Sequence, residues 1–181
     1  MTRHDPPFHP QPLAQAMAGQ SVRGNFAPGF WLPDQRGRRT GLHDQGAHPL
    51  LIVFWSPTSP ESVDALAHLQ RLDQQYAGQG LRTVAICLAD DWSASPRLAR
   101  ERGYRFPMLT DTGCHFADKL ENSSPLAEAY EVTALPAIFL TDPYRRVLDK
   151  QTGLGSDTWL QVEGELNGLM RQSARAVKPG G

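Results

Sequence analysis

The sequence predicts an α/β fold with a partly parallel sheet, and three observations carry that prediction. The continuous apolar run Leu50–Trp55 stops at Ser56-Pro57 and gives way to a helix-period stretch from Ser59-Pro60-Glu61. A second strand-like run, Arg82 to Leu88, follows Gly78 and Gly80, and Ser95-Pro96 then opens another helix. Short apolar runs bounded by turn residues suit buried strands. Their alternation with helices implies right-handed crossovers between parallel strands.

The 181 residues, 40% apolar and 20% charged, describe one globular domain with tails. A net charge of −1 gives no support for a nucleic-acid partner or for a polybasic contact with a membrane. No apolar run approaches the roughly 20 residues that span a bilayer. The first twenty residues, rich in Pro, Gln and His, lack the apolar core of a signal peptide. A cytoplasmic location is therefore expected.

In chain order, residues 1–22 read as a flexible arm with a short helical piece around Leu13 to Ala18. Gly24 to Thr40 reads as a β-hairpin turning at Asp34-Gln35-Arg36-Gly37, with Phe30, Trp31 and Leu32 able to pack against a core. After the strand Leu50–Trp55, the spacing of Val63, Leu66, Leu69, Leu72 and Tyr76 predicts a helix over Pro60–Tyr76, ended by Gly78 and Gly80. The strand Arg82–Leu88 and a helix from Ser95 to about Arg102 come next. Phe106 to Thr110 is extended, Asp111 to Ser124 irregular or partly helical, and Pro125 to Tyr130 a short helix. Ala137–Thr141 and Arg146–Lys150 form an antiparallel hairpin. A closing helix, Ser156 to about Ser173, would pack through Trp159, Leu160, Val162, Leu166, Leu169 and Met170. The expected division is thus an arm (1–22), a domain (23–173) and a disordered tail (174–181).

The two cysteines, Cys87 and Cys114, are too far apart for a local redox or metal-binding spacing. Cys87 sits in an apolar strand and reads as a small buried hydrophobe. Cys114 follows a glycine and could serve as a single-cysteine redox sensor. His4 and His9 in the arm, and Asp111, Cys114 and His115 in one loop, are weak metal signals. No metal site and no cofactor are expected.

At this point three segments, in this order, resemble the redoxin superfamily, that is, the TlpA-like thiol–disulfide oxidoreductases and their AhpC/TSA peroxiredoxin relatives. Ala27-Pro28-Gly29-Phe30-Trp31-Leu32 is similar to the family's entry motif. Phe54-Trp55, with a helix start shortly after, resembles its active-site strand. Leu135-Pro136-Ala137-Ile138-Phe139-Leu140-Thr141-Asp142 resembles the segment carrying a cis-proline. The resemblance spans Asn25 to Met170. It implies a thioredoxin fold, a mixed central sheet flanked by helices, with an N-terminal β-hairpin extension.

The family's active site is Cys-x-x-Cys at the start of the helix, and aligned through Phe54-Trp55 those cysteines fall on Ser59 and Ser62. An alternative register puts them on Ser56 and Ser59. The chemistry requires sulfur: a helix N-terminus lowers a cysteine pKa to roughly 3.5–7.5, and the resulting thiolate attacks a disulfide. A serine hydroxyl forms no disulfide, and a helix dipole worth at most about 2 kcal/mol does not ionise it near neutral pH. The family's buried Glu, three residues beyond the second cysteine, is matched here by Ala65. Ser59 read on its own is a helix N-cap. A nucleophilic serine needs a base, and His68 stands nine residues along the helix, about 14 Å away by helix rise. A peroxidatic cysteine, which the resemblance would place near Thr58, is absent.

The resemblance further implies that the backbone before Pro136 pairs with substrate polypeptide, with Trp55, Thr58, Pro60 and Leu135 beside it. The expected function is therefore a redox-inactive thioredoxin-like protein that binds polypeptide, or a redox-protein partner, at the Ser59/Pro136 surface. The alternative is a thiol–disulfide oxidoreductase, or a peroxiredoxin-like antioxidant protein, whose active-site cysteines were replaced by serine.

Overall fold

The computed structural model describes residues 23–89, 91–111, 124–153, 155 and 157–176, and of 174–176 the backbone alone. The expected arm (with His4 and His9), most of the 111–124 segment (with Cys114 and His115), and the tail beyond Ala176 lie outside the described residues.

Eleven elements are described in order: β1 (Trp31–Pro33), β2 (Arg39–Gly41), β3 (Leu50–Trp55), α1 (Pro60–Tyr76), β4 (Arg82–Leu88), α2 (Ala94–Arg102), β5 (Met108–Asp111), α3 (Pro125–Ala129), β6 (Ala137–Thr141), β7 (Val147–Thr152) and α4 (Thr158–Ala176). The main sheet has strand order β5-β4-β3-β6-β7. β3, β4 and β5 run parallel, while β6 and β7 are antiparallel to their neighbours. β1 and β2 form a separate antiparallel pair, the expected hairpin extension.

β3 is buried along its whole length because both faces of the sheet are covered. Leu51, Val53 and Trp55 point to one face, where they join Leu66, Leu69 and Leu72 of α1 and Trp159, Val162 and Leu166 of α4. Leu50, Ile52 and Phe54 point to the other, against Phe30, Tyr130 and Phe139. A strand buried on both faces loses the polar alternation of a half-exposed one, which is why its sequence reads as a continuous apolar run. Tyr130 fixes the entry segment to this second face. Its hydroxyl donates to the Pro28 carbonyl at 2.8 Å, and its ring lies 5.0 Å from Phe54 and 5.1 Å from Phe139. Burial pushes its pKa well above the ordinary phenol value, with Arg145 pulling more weakly the other way.

Several expectations shift. Trp31 does not enter the core: it is exposed, while Phe30 is buried and Leu32 half-buried, as the period-two alternation of an extended segment requires. Leu160 is likewise exposed, since on a helix it sits about 100° round from Trp159 and off the face shared by Val162, Leu166 and Met170. α4 also continues to Ala176, three residues into the stretch expected as tail. β5 begins at Met108 rather than Phe106, and β7 extends to Thr152.

Candidate functional site

The site is built where β3 ends and α1 begins. The chain leaves Trp55 and turns through Ser56-Pro57-Thr58. The Ser56 and Thr58 hydroxyls lie 2.8 Å apart, and the Thr58 N–H donates to Ser56 Oγ at 3.3 Å. The Ser59 N–H donates to the Ser56 carbonyl at 3.2 Å, closing the turn. Ser59 is extended (φ −107°, ψ 106°) and caps α1, its Oγ accepting from the Ser62 N–H at 3.2 Å. Pro60 follows in the first turn, where its missing N–H would have no partner anyway.

The β3–β6 register brings the second segment alongside. Phe54 pairs with Ala137, so the Leu135-Pro136 loop stands next to Trp55 at the same end of the sheet. The Leu135–Pro136 peptide bond is cis, and the Pro136 carbonyl accepts from the Gly153 N–H at 2.8 Å. Among the described residues, the backbone N–H groups of Thr133, Ala134 and Leu135 find no protein acceptor, and Thr133 and Ala134 are exposed.

The sequence-singled residues therefore share one sheet end but differ in access. Thr58 and Pro60 are exposed, and Ser59 and Leu135 are partly so. Pro136 is buried, and Ser62 and Trp55 are wholly enclosed. Trp55 consequently supports the site from beneath and does not line its surface. Two polar atoms here, Ser62 Oγ and Trp55 Nε1, are buried without a hydrogen-bond partner among the described residues. An unsatisfied buried group of this kind costs roughly 1–3 kcal/mol. Ala65, at the position of the family's acid, is wholly buried in the core with Leu66 and Leu69. His68 stands nine residues along α1 from Ser59 with its ring stacked on Trp159 of α4 at 4.9 Å and 13°, away from the helix start.

Cys87 is enclosed within β4. Among the described residues no three His, Cys, Asp or Glu side chains come together in a metal-holding group, and no described helix is long and apolar enough to cross a membrane. A further feature, with no local signature in the sequence, lies at the outer sheet edge. Gln35, in the hairpin turn, donates to the Phe106 carbonyl at 3.0 Å and accepts from the Met108 N–H at 2.9 Å. The turn signal at Asp34–Gly37 was legible, but nothing local in the sequence tells which strand edge a side-chain amide will reach.

Comparison with known proteins agrees with this architecture. The thiol-disulfide oxidoreductase ResA of Bacillus subtilis is 25% identical over 137 residues, covering 76% of this chain and 71% of that protein. ResA of Geobacillus kaustophilus is 25% identical over 146 residues, covering 81% and 77%. Among solved structures, a putative thiol:disulfide interchange protein DsbE from Chlorobium tepidum superposes with a TM-score of 0.71 at 19% identity, covering 82% of this chain and 97% of that one. A hypothetical protein from Sinorhizobium meliloti gives 0.65 at 27% identity, covering 83% and 85%. The AhpC/TSA family model matches residues 23–150. By that match, and by the strand order that carries Ser59 and Pro136 to one sheet end, the chain is a thioredoxin-fold member of the AhpC/TSA family.

Proposed function

We propose that this protein is redox-silent at the family's active-site position and binds extended polypeptide, or an extended segment of a redox protein, at the surface formed by Thr58, Ser59, Pro60 and Leu135. The observation that carries the reading is the run of backbone N–H groups at Thr133, Ala134 and Leu135 that find no protein acceptor among the described residues, beside a helix start at which Thr58 and Pro60 are exposed. An extended chain adding alongside such a segment gains main-chain hydrogen bonds while pockets beside it select side chains. The helix start at Ser59 supports placing the family's cysteines at Ser59 and Ser62 and not at Ser56 and Ser59. With hydroxyls there, no mixed disulfide forms, so a complex would be governed by non-covalent dissociation alone.

The test follows backbone amide signals of the protein while an unstructured peptide with blocked cysteines is added. Saturable shifts at Thr58, Ser59, Ala134 and Leu135 are expected, and shifts confined to other regions would refute the proposal. The second reading, an oxidoreductase frame deprived of its cysteines, rests on the intact N-cap geometry of Ser59 and the enclosed position of Ser62. If Ser59→Cys/Ser62→Cys reduces insulin disulfides with dithiothreitol while the parent chain does not, the frame remains competent for exchange. An inactive, folded double variant would remove that reading.

A further inference from the structure

A second concavity of the described surface lies along the outer edge of the sheet, two strands away from β3. A cleft of about 300 Å³ lies between the hairpin turn and α2, lined by Gln35, Arg36, Pro96, Ala99, Arg100 and Tyr104. That volume is at the lower end of small-molecule sites. Positive charge gathers on both walls. Residues 34–39 hold three arginines against one aspartate, and residues 94–106 four arginines against one glutamate, in a chain whose net charge is −1.

Four of these arginines differ in how they are held. Arg38 is held by Asp34 at 3.2 Å, and Arg97 by Asp91 at 3.7 Å. The Asp34 carboxylate also accepts from the backbone N–H groups of Arg36 and Arg38, at 2.8 and 2.9 Å. Arg36 and Arg100, the two that line the cleft, make no ion pair among the described residues. They come from different elements, and those elements are fixed to one another. The two Gln35 hydrogen bonds hold the turn against β5, and Tyr104 stacks on Phe106 at 5.2 Å to hold the end of α2. Solvated arginines on a single helix face would have no such shared concavity.

We infer that this cleft binds a compact phosphate dianion, free or as a small monoester, gripped by the guanidinium groups of Arg36 and Arg100. Guanidinium forks match the spacing of phosphate oxygens and can engage two at once. Two of them on opposite walls suit a dianion better than a single carboxylate. The Tyr104 phenol adds a donor that stays protonated, since burial raises its pKa, Arg102 lowers it less, and Asp64 raises it further. The Pro96 and Ala99 side chains leave an apolar wall for the carbon part of an ester.

The experiment titrates the full chain, at low and constant ionic strength, with inorganic phosphate and in parallel with glycerol 3-phosphate, following backbone amide signals. Saturable shifts at Arg36, Gly37, Arg100 and Tyr104 are expected. Arg36→Gln/Arg100→Gln should weaken binding at least tenfold with unchanged circular dichroism, while Arg82→Gln, exposed on β4, should leave it unaltered. Tighter binding of the ester would identify a monoester as the ligand class, and equal binding would identify the free anion. A linear response that chloride reproduces, or binding that the double variant leaves intact, would overturn the inference.

Discussion

The outer edge at β5 and the sheet end at β3 are both places where the sheet meets solvent, and they are finished in opposite ways. At β5 part of the outward-facing backbone is taken up from within the chain, because the Gln35 amide engages the Phe106 carbonyl and the Met108 N–H as a neighbouring strand would. At the β3 end the backbone N–H groups of Thr133 to Leu135 are left without a described partner, above two enclosed polar atoms that are also unmatched. Unpaired edges invite association, and proteins cover those they do not use. The polypeptide contact proposed above falls accordingly at the sheet end and not at the edge beside it.

The largest expected effect concerns what lies under the open end. Trp55→Ala removes a wholly enclosed indole and should cost about 3–5 kcal/mol in chemical denaturation. A loss below about 1 kcal/mol, the range of ordinary surface changes, would return Trp55 to the binding surface. Next comes the outer edge. Gln35→Ala leaves one carbonyl and one N–H of the β5 edge unpaired and should cost roughly 1–3 kcal/mol, with faster hydrogen exchange at Met108. Unchanged exchange there would mean the amide does not hold that edge. Within the open end the two serines should separate. Ser59→Ala loses an N-cap worth about 1 kcal/mol, and Ser59→Asp should recover most of it. Ser62→Ala deletes a hydroxyl that has no partner among the described residues, so its stability change should be within about 0.5 kcal/mol of zero or favourable. If Ser62→Ala destabilised the protein as much as Ser59→Ala, the Ser62 hydroxyl would have to be bonded in solution.

Much of this frame was legible because its signals are local. Leu50–Trp55, Pro60–Tyr76, Arg82–Leu88 and Ala137–Thr141 fall where the sequence puts them, since a doubly buried strand and an amphipathic helix each write their burial into adjacent residues. The N-cap at Ser59 was legible for the same reason. What escaped was relational. Leu160 and Trp31 are apolar but face solvent, because burial depends on which side of an element meets a neighbour. Trp55 looked like a surface aromatic beside the site, yet the side chains of β3 alternate between two covered faces and send it inward. The contact of Gln35 with the β5 edge, 71 positions away, and the meeting of Arg36 and Arg100 at one cleft, join residues far apart in the chain, beyond the reach of any periodicity.

The proposed binding of polypeptide at the open end requires no sulfur chemistry. Calorimetric titration of the chain with an unfolded, cysteine-alkylated polypeptide tests it most directly, with Leu135→Asp as the matched variant, since Leu135 is partly exposed beside Ser59's end of the sheet and a charge there opposes an apolar contact. Saturable one-to-one binding that Leu135→Asp weakens at least tenfold is expected. Absence of binding, or binding that Leu135→Asp leaves unchanged, would contradict it.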